Sequence, residues 1–299
     1  MLAQNKKFVF GILATLFLLN VFVWLAVFNL KPSQVLEVNF FDVGQGDAIF
    51  IETPQKQQIL IDAGPGPRIL EKLAEEMPFW DRTIDLIILT HPETDHMAGF
   101  LEVLKKYQVE NILWTGVLKD TAEFEEWQKL ISEEKEKEGA EIKIARAGLK
   151  IIFSGKDAAE NYGFIEILHP LENLEGQKMK NVNSSSIVAR LVFGENSFLF
   201  TGDILKSDEK KILAEGSNID SDVLKVSHHG SKSSTDEGFV EKVSPKSAVI
   251  SVGKDNQYGH PHQEVLETLN KYGIDILRTD LLGDVKIISD GKQYEISNI

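Results

Sequence analysis

Cysteine is absent from this chain of 299 residues. That absence excludes a disulfide framework, a zinc finger, an iron–sulfur cluster and a thiol nucleophile. Any bound metal ion must therefore be held by His, Asp and Glu side chains. The apolar fraction of 42% and the charged fraction of 26% are typical of a folded globular protein.

Positive charge is also scarce, with 32 Lys and Arg residues against 46 Asp and Glu residues and a formal net charge of −14. A surface of this sign disfavours non-specific clamping of nucleic acid, so binding DNA or RNA needs a local basic groove. Five lysines close in sequence to the motifs described below are candidates for such a basic lip, the alternative being ordinary solvated surface: Lys178, Lys180, Lys225, Lys232 and Lys254.

One long run, residues 8–28, carries no charged side chain. Its length is enough to cross a hydrocarbon core of about 30 Å as a helix. Lys6 and Lys7 precede the run and Lys31 follows it, a bias that favours a cytoplasmic N-terminus. A cleaved signal peptide is the alternative, but the run exceeds the usual apolar region of about 7–15 residues and no small-residue cleavage site follows it. We therefore expect an uncleaved single-pass anchor that places the rest of the chain outside the cytoplasm.

Residues 1–31 are thus expected to form the membrane anchor and residues 32–299 a single domain, since no low-complexity linker divides the remainder. Strand and helix signals alternate along it, with hairpin strands at the start of each half. This order predicts two sheets packed face to face with helices outside. The acidic stretch from Lys119 to Gly139 has apolar residues at helical spacing and predicts a solvated amphipathic helix.

Six of the seven histidines form three close groups, each directly after a predicted strand. Strand ends that feed loops are common positions for functional sites. The first group holds four possible metal ligands between a buried strand and a helix: His91, Glu93, Asp95 and His96. Imidazole and carboxylate donors at this density suit one or two divalent ions. The alternative is a helix start at which Asp95 acts as the N-cap.

Three further segments end strands in polar residues. Asp203 follows an apolar strand, where a helix cap is the alternative interpretation. In the pair His228 and His229, strand alternation directs the two side chains to opposite faces, so that one reaches a metal while the other contacts a supporting carboxylate or the substrate. His260 and His262 flank Pro261 before a helix, where a capped turn is the alternative.

Together these segments resemble the metallo-β-lactamase superfamily, and within it the soluble hydrolase-like domain of the ComEC family of DNA-uptake (competence) proteins. The resemblance implies an α/β fold, an αββα sandwich with ligands at one edge of the two sheets, preceded here by one transmembrane helix. The motifs that carry it follow the family's order and lie at residues 41–48, 60–64, 91–96, 183–186, 201–203, 228–231 and 259–261.

The resemblance also implies roles for individual residues. It assigns as metal ligands His91, Glu93, Asp95, His96, Asp203 and His228, with Asp95 also orienting the nucleophilic water. It places at the substrate or behind the ligands Asp62, Asn183, Ser185, His229 and His260. Residues 183–186, where the superfamily has a further His, contain no imidazole, and His169 upstream is only a weak substitute, so one metal position is rich in oxygen. Harder ions such as manganese or magnesium then compete with zinc.

The expected function is that of a membrane-anchored, extracytoplasmic hydrolase that uses one or two divalent ions, zinc or manganese, as a phosphodiesterase or nuclease linked to DNA uptake. ComEC proteins carry a many-helix channel domain, so a single span predicts that any uptake channel is a separate partner protein. Two alternatives stay open: a metallo-hydrolase of a small ester, lactone or cell-wall phosphoester, and a catalytically weak docking domain.

Overall fold

The structure, a computed structural model, describes residues 2–29, 35–154 and 162–298. Contacts divide the chain into two units, Met1–Gln34 and Val35–Ile299. The first unit is the helix α1 (Leu2–Asn29). Its stretch Lys6–Leu25 has a mean hydropathy of 2.4 and is long and apolar enough to cross a membrane. Lys31, expected to follow the span, lies outside the described residues.

The second unit alternates strands and helices. Its described strands are β1 (Leu36–Phe40), β2 (Ile49–Glu52), β3 (Gln58–Ile61), β4 (Thr83–Leu89), β5 (Gln108–Trp114), β6 (Glu141–Ile144), β7 (Lys150–Ser154), β8 (Tyr162–His169), β9 (Val188–Phe193), β10 (Asn196–Phe200), β11 (Val223–Lys225), β12 (Ser247–Ile250), β13 (Asp275–Arg278), β14 (Val285–Ser289) and β15 (Tyr294–Asn298). Its described helices are α2 (Arg68–Glu76), α3 (Thr94–Val103), α4 (Ala122–Lys137), α5 (Lys206–Glu215), α6 (Glu237–Val243), α7 (Gln263–Lys271) and α8 (Thr279–Leu282).

These strands form two sheets of similar design. Over the described residues, one sheet has the order β15-β14-β1-β2-β3-β4-β5-β6 and the other β13-β12-β11-β10-β9-β8-β7. In each sheet an antiparallel half built from hairpins meets a parallel half, β3 to β6 in the first and β10 to β13 in the second. Parallel neighbours need crossover connections, which α2 to α7 supply.

The apolar core has three layers. Between the sheets, Phe40 and Ile88 of the first pack in one cluster with Phe198 and Phe200 of the second. On the outer face of the first sheet, α2, α3 and α4 bury one side each in a second cluster. The outer face of the second sheet is covered in the same way by α5, α6 and α7. The expected αββα sandwich, with one apolar helix before it, is confirmed.

Three local expectations need correction. The acidic helix begins at Ala122 with Thr121 as its cap, so Lys119 precedes it. Strand β11 ends at Lys225, before the histidine pair to which strand alternation was applied. Strand β15 was not expected because its five residues contain only two apolar side chains, yet it pairs antiparallel with β14 along its whole length.

We predict that residues 32–299 fold and stay soluble without the apolar helix. The sandwich covers both faces of each sheet, and Lys6–Leu25 belongs to the other unit. The shortened chain should run as a defined species in size exclusion and melt cooperatively, whereas the full chain should require detergent. Persistent aggregation of the shortened chain in several buffers would contradict this.

Candidate metal centre

The centre is built where strands end. Strand β4 ends at Leu89 and the chain turns through His91 into α3, which begins at Thr94. Asp95 and His96 therefore lie in the first turn of α3. Glu93 occupies the N-cap position, and its side chain makes no capping hydrogen bond. The alternative that Asp95 is simply a helix cap is thereby wrong.

Four side chains meet at one point. Asp95, His96, Asp203 and His229 each offer one donor atom, and these atoms all lie within 4.8 Å of one another. The Asp203 Oδ2 atom is 3.4 Å from Nε2 of His96 and 3.4 Å from Nε2 of His229. Asp95 Oδ2 is 3.4 Å from His229 Nε2. The side chains of His96, Asp203 and His229 are buried. Asp95 is half-buried, so the group meets solvent on the side of Asp95, which we call the mouth of the centre.

Hydrogen bonds behind the two imidazoles fix which nitrogen faces the group. His229 Nδ1 lies 2.9 Å from the Ser251 carbonyl oxygen, which can only accept, so Nδ1 carries a proton. His96 Nδ1 lies 2.7 Å from the Asp62 carboxylate. Both Nε2 atoms are buried and have no hydrogen-bond partner among the described residues. Two buried ring nitrogens that lack hydrogen-bond partners and lie beside carboxylates fit the donor set of a divalent metal ion.

Asp62, expected near the ligands, holds this arrangement from behind. It accepts hydrogen bonds from the Thr90 amide at 2.8 Å and from the Thr90 hydroxyl at 2.7 Å, besides its contact with His96. Its backbone adopts a φ of 56°, in the left-handed region that few residues other than glycine occupy. Burial raises the pKa of the Asp62 carboxyl, although His96 opposes the shift.

The charged side chains of the group strongly shift one another's pKa values. Burial alone would lower the pKa of His96 and of His229, but Asp203 and the neighbouring carboxylates outweigh it and raise both well above the usual value. Burial would likewise raise the pKa of Asp203, and His229 and His96 reverse this and lower it well below the usual value. Without a metal ion, protons on the two imidazoles therefore balance the carboxylates.

Two ligands expected from the first histidine group lie outside the four-donor set. His91 is buried, with its ring 4.2 Å from that of His96 and with Nε2 unpartnered among the described residues. Burial lowers its pKa to about 3, so the ring is neutral near pH 7. Glu93 is partly exposed and forms an ion pair with Lys119 at 2.6 Å. The structure thus brings His91 beside the group and turns Glu93 towards Lys119.

The structure reverses the expected places of His228 and His229. Strand alternation does not apply to them, because β11 has ended and both residues have positive φ, 50° and 53°. His229 lies inside the four-donor group. His228 lies at the rim, with Nε2 3.3 Å from the Asn183 amide nitrogen and 3.8 Å from Asp203 Oδ2. The expectation that His228 occupies the inner position is corrected accordingly.

Of the remaining expected residues, two are partly exposed at the rim of the centre and one is buried. Asn183 and His260 lie at the rim, the His260 ring being 5.7 Å from that of His228. Ser185 does not border the opening: it is buried, and its hydroxyl donates to the Val182 carbonyl oxygen at 2.6 Å. That bond closes the short helical turn containing Ser185.

Sequence reasoning gave no role to Asp47 and the wrong place to Lys225. Lys225 was a candidate for an exposed lip, yet it is buried and forms an ion pair with the buried Asp47. It also lies 3.7 Å from Asp203 Oδ1. The sequence signal that could have revealed this is a lysine within the apolar strand β11. A buried lysine requires an anionic partner, so such a position predicts a buried ion pair.

Comparison with known proteins agrees with this architecture. The family model of the metallo-beta-lactamase superfamily matches residues 41–254. The chain is 34% identical over 268 residues to ComE operon protein 3 of Bacillus subtilis, covering 84% of this chain and 32% of that protein. It is 30% identical over 256 residues to Competence protein ComA of Neisseria gonorrhoeae, with the same coverages of 84% and 32%. The chain thus spans about a third of the length of these relatives.

Two solved structures share the fold. The metallo-beta-lactamase fold protein YhfI of Bacillus subtilis superimposes with a TM-score of 0.50 at 12% identity, over 88% of this chain and 100% of that chain. A mutant of the beta-hydroxylase CmlA gives a TM-score of 0.52 at 12% identity, over 84% of this chain and 53% of that chain. With sheets, donor group and family match in agreement, the chain belongs to the metallo-beta-lactamase superfamily and is similar, within it, to competence proteins of the ComEC family.

Proposed function

We propose that this chain is a membrane-anchored, metal-dependent phosphodiesterase or nuclease whose catalytic domain lies outside the cytoplasm and serves DNA uptake. The observation that carries the proposal is the four-donor group, in which two buried imidazoles present unpartnered Nε2 atoms to two carboxylates. Similarity to competence proteins supports the link to DNA uptake. The stretch Lys6–Leu25 suits a membrane anchor, and the proposed partner is an uptake-channel protein.

The residues proposed to hold the ion are Asp95, His96, Asp203 and His229. Two imidazoles and two carboxylates suit zinc or manganese. When bound, such an ion supplies positive charge for phosphate oxygens and lowers the pKa of water. Glu93 would have to leave Lys119, and His228 would have to leave Asn183, before either joined the donor set.

The surrounding residues then have separate tasks. Asp95 lies at the mouth, where its carboxylate can accept a hydrogen bond from the attacking water. Burial lowers the pKa of His260 to about 4, with the neighbouring histidines adding to the shift, so its ring is neutral near pH 7. His260 and the Asn183 amide therefore contact a phosphodiester by hydrogen bonding rather than by charge.

One observation favours a smaller substrate as the second candidate. Of the lysines expected to form a basic lip, Lys225 is buried, and Lys178 pairs with Asp120 at 2.7 Å. A metallo-hydrolase of a small ester, lactone or cell-wall phosphoester needs no such lip. Hydrolysis of single-stranded DNA compared with that of a small chromogenic phosphodiester separates the two candidates.

We predict that Asp95→Asn lowers turnover about 1000-fold, equivalent to about 4 kcal/mol of transition-state stabilisation. Asparagine keeps the size of the side chain but removes the charge that attracts the ion and orients water. Turnover on the best substrate should be measured with excess manganese or zinc, beside a thermal melt. Because Asp95 is not the helix cap, the variant should keep the start of α3 and still melt cooperatively.

The matched control is Lys129→Asn, on the exposed face of α4. Lys119 is unsuitable, because its ion pair with Glu93 places it next to the centre. Activity of Asp95→Asn above about a tenth of wild type would contradict the proposed role. Metal content below about 0.2 ions per chain after loading the wild type would instead favour a docking domain without catalysis.

We predict that metal affinity increases as the pH rises from about 6 to 9. The carboxylates raise the pKa of His96 and of His229, so both rings hold protons that a cation must displace. Stability from these protons is full below the unfolded pKa of about 6.5 and is lost as the pH rises through the folded values. The melting temperature of the metal-free protein should therefore fall over this range.

Calorimetric titration in buffers of different ionisation enthalpy measures the released protons, and we expect close to two per ion. The same titration on Lys129→Asn should match the wild type. An affinity that is flat across this pH range would show that neither ring faces the ion.

We predict that a reporter enzyme fused after Ile299 is active outside the cytoplasm and silent inside it. Lys6 and Lys7 before the apolar stretch favour a cytoplasmic N-terminus. Moving the two lysines to the other end of the stretch should reverse the signal. A C-terminus that cells shield from external protease would overturn the orientation.

A further inference from the structure

Lys225 is a buried cation directly behind the proposed metal centre. It is the last residue of β11, and none of its side chain is exposed. Its ammonium group donates to the Gly202 carbonyl oxygen at 3.1 Å and forms an ion pair with Asp47. Burying a lysine opposes its charged form, but Asp47 and Asp203 outweigh this and raise the pKa of Lys225 above its usual value.

The same ammonium group faces the inner oxygen of Asp203. Lys225 Nζ is 3.7 Å from Asp203 Oδ1, an atom that is buried and has no hydrogen-bond partner among the described residues. The other oxygen, Oδ2, faces His96 at 3.4 Å. Asp203 is therefore held so that it presents a single oxygen to the centre.

Carboxylates dominate the surroundings of Lys225. Four carboxylates gather here, those of Asp47, Asp62, Asp95 and Asp203. One divalent ion and the ammonium group of Lys225 together supply three positive charges against these four carboxylates. In the inner group of Asp47, Asp62 and His96, Lys225 pairs with one oxygen of Asp47 and His96 Nδ1 contacts Asp62, while Asp47 Oδ1 has no hydrogen-bond partner among the described residues.

We propose that Lys225 is a positioning residue: its positive charge lies against Oδ1 of Asp203, so that Asp203 presents one oxygen to the centre and the domain binds a single divalent ion. The proposal rests on the metal centre of the preceding section. The competing explanation is that Lys225 only neutralises Asp47 as a structural ion pair.

The test uses the full chain in detergent micelles and titrates manganese alone by calorimetry, with a thermal melt of each metal-free variant. Three variants are compared with the wild type: Lys225→Met, the double variant Asp47→Asn with Lys225→Met, and Lys246→Met. Lys246 is the matched control, because it forms an exposed ion pair with Asp222 beside the same sheet.

The wild type should bind about one ion per chain. Lys225→Met should lose at least tenfold in manganese affinity, because the loss of a fixed Asp203 outweighs the stronger attraction for a cation that follows from removing one positive charge. The double variant removes the pair without changing net charge, so its melting temperature should recover towards wild type while its affinity stays low. Lys246→Met should match the wild type in both measurements.

Each opposite result has a distinct meaning. A wild type that binds neither manganese nor zinc overturns the metal centre itself. A wild type that binds two ions, or a Lys225→Met variant with wild-type affinity, overturns only the role of Lys225. Recovery of both melting and affinity in the double variant shows a structural pair with Asp47. If Lys225→Met does not fold, the wild-type stoichiometry and the double variant carry the test.

Discussion

The arrangement of this domain depends on the cost of removing carboxylates from water. Asp47, Asp62 and Asp203 are almost fully buried at one end of the sandwich, and Asp95 lies at its mouth. Buried charges of one sign are tolerated only when positive groups or hydrogen bonds lie against them. Two imidazolium rings and one ammonium group meet this need in the absence of metal, and a cation would displace the ring protons.

The fold meets this electrostatic need through loops at one edge of both sheets. Glycine matters at one contact in particular: a Cβ on Gly46, whose φ is +146°, would lie 2.2 Å from the Asp95 carbonyl oxygen. The bare backbone lets the loop before β2 approach the first turn of α3. Asp47 then donates its amide to the Asp95 carbonyl at 3.3 Å while its side chain faces Lys225. Elements distant in sequence thus share one small polar interior.

Family membership and local chemistry support the functional proposal at different levels. Membership of the metallo-beta-lactamase superfamily sets the fold and the edge at which donors gather. The donor set narrows the cofactor to divalent ions that accept nitrogen and oxygen together. The competence relatives are about three times longer than the matched region, so they contain further parts that this chain does not match.

The sequence by itself determined the apolar helix, the two-sheet sandwich and the segments that supply polar side chains, because hydrophobic periodicity and strand-end motifs are local signals. It predicted Asp62, His96, Asp95 and Asp203 at one edge, where the structure places them. Only the tertiary structure decided that His229 rather than His228 lies inside, because both residues leave β-strand geometry for positive φ. It alone decided that Lys225 is buried, because the carboxylate that compensates it, Asp47, comes from a loop in the other sheet, 178 positions earlier in the sequence.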